Sequence, residues 1–391
     1  MDTKNNILDN ESTQLPAGWV VKKLGDVVDC FDKLRSPLSS IQRAKIHGIY
    51  PYYGAQGIID YIDDYIFDGQ YILIAEDGEN LRSRKQPIAN IAKGRFWVNN
   101  HAHVLRNNKN SNFGFIYYYL NFVNLSAFIT GAVQPKLNQE NLFKIPFLCP
   151  SIKEQKEIAT ILSSLDDKIE LNQQINKKLE EMAQAIFKEW FIDSDYKKFP
   201  ISKFIDFNPS YKLSRSNEVA YLEMANVDTN SYRAVNWSYR KSGAGAKFKN
   251  GDTLFARITP CLENGKTCFV DFLADDEVAY GSTEYIVMRS KDQFHPFLSY
   301  LIAKNKDFRN YAINTMTGTS GRQRAQADKL AHFEIRLPAN EIITEINNQF
   351  ESITSKLKNT SEQIDFLINI RDTLLPKLIS GDVNIFVGNY L

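Results

Sequence analysis

The sequence predicts an α+β protein. Two mixed α/β domains are joined by two long helices that pair as an antiparallel coiled coil, with a pseudo-two-fold internal repeat. The first observation behind this is that residues 151–190 are written twice. Adding 188 to Ile158, Leu162, Leu165, Ile169, Leu179, Ala183, Ile186 and Trp190 gives Ile346, Phe350, Ile353, Leu357, Leu367, Arg371, Leu374 and Leu378. The same offset matches Leu142 with Leu330, Pro150 with Pro338, Glu157 with Glu345 and Lys168 with Lys356. A repeat within one chain means two equivalent halves. The second observation is the spacing. Apolar residues alternate at four and three, which makes the narrow two-per-seven seam of a coiled coil. An ordinary pair of core helices is the plain alternative.

The elements follow in order. Residues 1–14 are polar and read as disordered. A first mixed domain spans 15–150, a first long spacer helix 151–192, a second mixed domain 196–338 and a second long helix 339–380. In the first domain, 20–31 is apolar and β-branched. Residues 63–75 contain a turn flanked by strands. Residues 96–98 and 102–105 read as strands, 113–130 as a buried helix, and 142–148 as a last strand before Pro150. Ser151 and Glu154 make a capping box that opens the first long helix. Asn172 and Thr360 hold equivalent polar seam positions, which fix register at some cost in stability. An antiparallel symmetric pairing places them near each other, with Asn176 one step on and opposite in type to Ile364. The second domain repeats the syntax: strands at 204–207, 253–257 and 285–288, a helix at 297–313, a strand at 332–337, then Pro338. Pro376 is expected to end or kink the second long helix, and the tail after Gly381 to fold back on it.

Composition bounds the function. A chain of 391 residues with 43% apolar content, 25 Phe and 19 Tyr builds real cores. Cys30, Cys149, Cys261 and Cys268 form no dense framework and read as reduced thiols. No apolar run reaches the ~18 residues of a membrane helix, and the polar N-terminus resembles no signal peptide. A cytoplasmic location is expected.

The net charge of +1 hides a pattern. From Asn80 to Gln139 there is no Asp or Glu, while Arg82, Arg84, Lys85, Lys93, Arg95, Arg106, Lys109 and Lys136 fall there. Residues 229–251 are also free of carboxylates and hold Arg233, Arg240, Lys241, Lys247 and Lys249. A basic loop, 318–324, follows. Residues 151–195 carry ten acids against six bases, so the helices compensate. Basic globular parts on acidic helices point to a bound polyanion, although charge runs are commonly just solvated faces.

Catalytic motifs come close and fail. Asn208-Pro-Ser-Tyr211 approaches the Asn-Pro-Pro-Tyr signature of adenine methyltransferases but lacks the second Pro, and no cofactor-binding Gly-rich loop follows a strand. Gly265-Lys-Thr267 ends like a phosphate loop, but Pro260 stands where its first Gly belongs. Glu154-Gln-Lys156 has no upstream Asp nearer than Asp77 to complete a nuclease site. His101 and His103 are too few for a metal site and read as core or hydrogen-bonded residues. The sequence offers a binding surface without catalytic residues.

Two variable domains alternating with two repeated helices resemble the DNA specificity subunit of type I restriction–modification systems. Tyr52-Tyr-Gly-Ala-Gln-Gly57, Ile72-Leu-Ile-Ala-Glu-Asp-Gly78 and 96–103 are similar to one of that family's target recognition domain types. Residues 150–158 and Leu374-Leu-Pro-Lys-Leu-Ile-Ser-Gly381 are similar to its repeated regions. The resemblance covers about 15–382. It implies a non-catalytic subunit without a cofactor of its own. Each domain would read one half of a split, asymmetric target in double-stranded DNA. The paired helices would set the spacing and dock methyltransferase subunits, two per chain, beside restriction subunits. S-adenosylmethionine, ATP and Mg would belong to those partners, which would flip the target adenine. A helix of 35–40 residues is roughly 55 Å long, a ruler expected to space two half-sites by around one DNA turn or slightly more. The contact candidates in the first domain are Arg82, Arg84, Lys85, Lys93, Arg95 and Lys136, with Gln56 and Gln134 suited to adenine. In the second they are Arg240, Lys241, Lys247, Lys266, Arg322, Gln323 and Arg324, the arginines suited to guanine. Gly318 and Gly321 would let the 318–324 loop approach a groove closely. The alternatives are a subunit of a related type IIB/IIG-like system, a fused enzyme, and a coiled-coil scaffold with heads that bind something other than DNA.

Overall fold

The computed structural model describes residues 15–212, 218–241, 243–319 and 322–383. Their contacts fall into two units. One takes the residues up to Ile169 together with those from Phe366 onward, and the other is Glu170–Asp365. Each unit holds one globular part and a share of both long helices.

In the first unit, β1 (Val20–Lys23) pairs antiparallel with β8 (Pro146–Cys149), so the globular part is tied start to end. Between them lies a six-stranded sheet. Its strands are β2 (Val28–Cys30), β3 (His47–Gly54), β4 (Gly57–Ile62), β5 (Phe67–Ala75), β6 (Ala89–Val98) and β7 (Ala102–Asn107), in the order β2-β7-β5-β6-β3-β4. All pairings are antiparallel except β3 with β6. Short helices α1 (Ser40–Lys45) and α2 (Asn80–Ser83) lie in the connections. Helix α3 (Phe113–Phe122) buries Phe115, Ile116, Tyr119 and Leu120, and α4 (Gln139–Lys144) leads into β8.

Two expectations are corrected here, and one is located: the turn between strands expected within 63–75 lies at 63–66, between β4 and β5, ahead of Asp68 and Gly69. They lie inside β5, where Gly69 faces Gly94 of β6 and both adopt positive φ, which only glycine takes without strain. The helix expected over 113–130 stops at Phe122. The Arg84 guanidinium takes the carbonyls of Leu120, Asn121 and Val123, closing the helix end. Leu142 is helical, because the Asn138 side chain caps a new turn at Asn141 before the strand begins.

The second unit repeats the closure: β9 (Lys198–Pro200) pairs antiparallel with β18 (Glu334–Arg336). Strand β10 (Ile205–Phe207) belongs to a four-stranded sheet in the order β10-β17-β14-β15, with β14 Asp252–Ala256, β15 Thr267–Phe269 and β17 Tyr285–Ser290. A second sheet runs β12-β11-β16-β13, with β11 Glu218–Leu222, β12 Ser238–Lys241, β13 Ala246–Lys249 and β16 Val278–Gly281. The helix expected over 297–313 is two helices, α6 (Phe297–Lys304) and α7 (Lys306–Asn314). Asn305 is extended between them, and its side chain caps Phe308. A short α8 (Ala327–Leu330) precedes β18. The Asn208-Pro-Ser-Tyr211 segment is a turn. Asn208 exchanges backbone and side-chain bonds with Val287, and the Tyr211 hydroxyl donates to Asp252 at 3.0 Å.

The long helices are α5 (Ile152–Phe187) and α9 (Asn340–Ser380). Ser151 and Glu154 make the expected reciprocal bonds, at 3.3 and 3.0 Å. In the first unit, Ile158 and Leu162 of α5 share a core with Leu374, Leu375, Leu378 and Ile379 of α9. There Arg371, at a seam position, pairs with Asp166 at 2.8 Å, and Asp166 also accepts from the Tyr118 hydroxyl. In the second unit, Ala183 and Phe187 share a core with Ile346, Phe350, Ile353 and Leu357. Numbers rise on one helix as they fall on the other, so the pair is antiparallel. Register differs from expectation by one turn. Thr360 donates to Asn176, not Asn172, and Asn172 meets Gln363 at 3.3 Å. The seam also slips past Ala183. Phe187 and Phe191 are buried where Ile186 and Trp190 were expected, as the helix widens over Lys188–Asp193. Pro376 does not end α9, which runs on to Ser380. Gly381 then takes φ +78° against Pro16 and Trp19. The tail beyond residue 383 lies outside the described residues.

Candidate nucleic-acid interface

Each unit presents one loop of the same construction. In the first, Thr130 and Lys136 exchange backbone hydrogen bonds of 2.8 Å, closing the tip Gly131-Ala-Val-Gln-Pro135. In the second, Thr317 and Arg324 do the same at 3.1 and 2.9 Å, around a tip of which Gly318, Thr319, Arg322 and Gln323 are described. The glycine after each threonine has positive φ, +85° at Gly131 and +128° at Gly318. A Cβ on Gly131 would overlap the Gln134 carbonyl oxygen, and one on Gly318 would stand 2.9 Å from that of Arg322. The returning arm is anchored identically. Gly78 donates to Pro135 at 3.1 Å and Leu137 to Glu76 at 2.7 Å. Thr259 donates to Gln323 at 3.2 Å and Ala325 to Arg257 at 2.8 Å. Pro135, Lys136 and Leu137 thus correspond to Gln323, Arg324 and Ala325 at the 188-residue offset of the helices. Leu137 and Ala325 are both fully buried and pin the arms to their cores.

Beneath the first loop lies a buried charged network. His103 sits between the Asp32 carboxylate at 2.6 Å and the Leu137 carbonyl at 2.7 Å. Arg35 reaches Glu76 at 2.8 Å and Asp32 at 3.4 Å. Burial pushes the Asp32 carboxyl up, but the bonds from His103 and Val104 and the charge of Arg35 outweigh it, and the group titrates below its ordinary value. Asp32, Glu76 and His103 lie as close together as metal ligands do, but the Arg35 guanidinium already supplies the countercharge, and His103 has both ring nitrogens engaged. His101 bonds Asp77 at 2.7 Å, the residue bridged to Lys136. Both histidines are hydrogen-bonded, as the sequence suggested.

The fifteen expected contact residues divide by what already holds them. Arg82 donates to the carbonyls of Gly131 and Ala132, so it braces the first loop. Arg84 is spent as the cap of α3, and burial lowers its pKa. Arg95 pairs with Asp68 at 3.1 Å over the Tyr65 ring. Arg240 pairs with Glu223 at 2.6 Å and stacks 3.8 Å from the Tyr221 centroid. Lys247, itself exposed, donates to the Tyr211 carbonyl, and the part-buried Lys266 donates to that of Met224. Arg324 is gripped by Glu284 at 2.7 to 3.1 Å. The exposed remainder is Gln56, Lys85, Lys93, Gln134, Lys136, Lys241, Arg322 and Gln323. Gln56 lies beside Gly78, 3.7 Å from where its Cβ would be, and so close to the anchored arm of the first loop. Arg322 and Gln323 are at the tip of the second. Lys93 and Lys241 are on strands away from the loop segments. Gly321 lies outside the described residues.

Sequence reasoning missed Glu284 and the equivalence of the loops. The signal was present: Thr130-Gly131 precedes Lys136 as Thr317-Gly318 precedes Arg324, one residue more apart.

Residues 16–181 match the model of the type I restriction modification DNA specificity domain. Over that stretch, less than half of the chain, it is similar to that family. Among its relatives, a Haemophilus influenzae chain provisionally named a type I restriction enzyme specificity subunit is 38% identical over 144 residues, covering 37% of this chain and 36% of its own length. The MjaIX specificity subunit of Methanocaldococcus jannaschii is 24% identical over 312 residues, 69% of each chain. The match thus spans about a third of the first relative's length and about two thirds of the second's. The crystal structure of a type I restriction–modification S subunit from M. genitalium has the same fold, with a TM-score of 0.59 over 94% of this chain and 98% of that one at 14% identity. Among the described residues no helix is long and apolar enough to cross a membrane.

Proposed function

We propose that this chain belongs to the specificity family and is the non-catalytic DNA-reading subunit of a type I restriction–modification complex. Each globular part reads one half of a bipartite, asymmetric target in double-stranded DNA, and the long helices carry the spacing. Methyltransferase subunits, two per chain, dock with it, as do restriction subunits. Those partners hold S-adenosylmethionine, ATP and Mg.

The observation that carries this reading is the Thr-Gly loop, built alike in both units with different side chains at its tip. A fixed scaffold with variable tips suits two half-sites of different sequence. In the first unit the tip offers Gln134, whose amide suits adenine N6 and N7, beside Lys136 and Gln56. In the second it offers Arg322, Gln323 and Arg324, suited to guanine and adenine. Lys85, Lys93 and Lys241 supply phosphate contacts, which give affinity and orientation without sequence. Glycine at the entry of each loop lets the backbone approach a groove.

The test is to map N6-methyladenine in a host carrying the intact chain and in one whose 131–135 tip is altered. The reading expects a bipartite motif of which only one half changes. An unmethylated genome, or loss of both halves together, counts against it. Binding by the isolated chain that ignores salt would favour a scaffold for other ligands, because phosphate contacts weaken steeply with ionic strength.

A further inference from the structure

We propose that Arg324 is the guanine reader of the second unit and that Glu284 is its positioning residue. This rests on the DNA reading above and goes beyond it to a base and a residue.

The argument is an inventory of donors. A guanidinium carries five N–H groups. Glu284 takes the Nε hydrogen, with its two oxygens at 3.1 and 2.9 Å, and one hydrogen of Nη2 at 2.7 Å. The Arg322 carbonyl accepts one from Nη1 at 3.3 Å. Two hydrogens remain, one on each terminal nitrogen, and the end of a guanidinium fork is formed by one hydrogen from each of those two nitrogens. Adjacent acceptors that match such a pair on a base edge are O6 and N7 of guanine in the major groove. The side chain is 38% exposed, so that end is reachable.

The grip is itself held. Glu284 accepts from the Arg257 backbone through its carbonyl at 2.9 Å and donates its own N–H to the Ser282 hydroxyl at 3.1 Å. Arg324 is fixed by both backbone bonds to Thr317. A long side chain normally loses rotamer freedom on binding; here the carboxylate has already restricted it. Four of the other arginines singled out from sequence differ. Arg82 and Arg84 are spent on carbonyls, while Arg95 and Arg240 sit over tyrosine rings. The equivalent residue of the first unit is Lys136, a point charge with no carboxylate within ion-pair distance among the described residues. The asymmetry assigns the base-specific fork to one half of the target.

A phosphate would also accept a two-pronged fork, so the experiment must separate base from backbone. The full chain, tagged and purified from its host with the subunits it carries, is used to select duplexes from a randomised library. The expected result is an invariant guanine in one half-site. Replacing that guanine by 7-deazaguanine, which lacks N7, weakens binding about ten- to a hundredfold. Glu284→Gln keeps the shape and loses the charge. It is expected to relax that one position while the other half-site and the melting temperature stay unchanged. If 7-deazaguanine binds as well as guanine, or if Arg324→Lys keeps the full preference, Arg324 meets a phosphate and the assignment fails. An unaltered preference in Glu284→Gln overturns the positioning role. Selection of no sequence at all overturns instead the DNA reading beneath it, which is a different result.

Discussion

Gly131 stands directly over the carbonyl oxygen of Gln134, with no room for a Cβ between them. The positive φ of +85° adds to this, since a residue with a Cβ in that region costs about 1–2 kcal/mol. Gly131→Ala should therefore open the tip and displace Gln134. The expected outcome is loss of preference in one half-site and normal methylation governed by the other. Half-site mutants of the mapped target check this. An unchanged motif would mean that the tip does not read DNA.

Arg84 and Lys85 are neighbours that separate structure from binding. Arg84 bonds three carbonyls at the end of α3, whereas Lys85 is exposed. Hydrogen bonds to a charged group are worth about 1.5–3 kcal/mol, so Arg84→Ala is expected to destabilise the first unit by about that much. Lys85→Ala should leave the melting curve alone and lower the salt slope of DNA binding by about one. The pair of melting curves and salt titrations decides between them. Equal behaviour of the two variants would remove the distinction.

The helices were legible because their apolar period is written in the sequence and their pairing buries it. Ile346, Phe350, Ile353 and Leu357 are all buried, as the seam required. Their register was not legible. Nothing in a single seam says whether Thr360 meets Asn172 or Asn176, one turn apart, because the polar partner is chosen by the whole length of both helices. Among the site residues, charge found the basic surface but not its use. Arg84 and Arg322 look alike in sequence, yet one caps a helix and the other stands at a loop tip. That difference depends on Val123 and Asn121 arriving from 37 or more residues away, a contact that no local pattern encodes.

Asn176 meets both Thr360 and Ser361 across the helix pair, the second at 3.0 Å. Thr360 and Ser361 are 4% and 6% exposed, so water cannot readily replace that partner. Asn176→Ala is expected to cost about 1–3 kcal/mol, the usual penalty for leaving buried polar groups unmet. Replacing both Asn176 and Thr360 by Leu should restore or raise stability and loosen the register. Thermal melts of the two variants test this, together with the spacer length in the mapped target. A single variant as stable as the parent would deny the contact any role.

The Asp32 network gives the first unit a specific acid response. Burial raises the Asp32 carboxyl, but His103, Val104 and Arg35 together leave it below its ordinary value in the folded chain. A carboxyl with a depressed folded pKa binds its proton more tightly when unfolded. It stabilises the fold fully above the ordinary carboxylate value, and that contribution is lost as pH falls through the depressed one. Since His103 also holds the Leu137 carbonyl at 2.7 Å, the arm of the first loop should loosen in the same window, from about pH 4 downward. Asp32→Asn removes the charge at every pH and leaves Arg35 short of a partner, at a cost of about 3–5 kcal/mol. Its stability should then vary less with pH than that of the parent. Melting temperatures of both proteins from about pH 7 to about pH 3 make the comparison, and parallel curves would show that Asp32 carries none of the acid response.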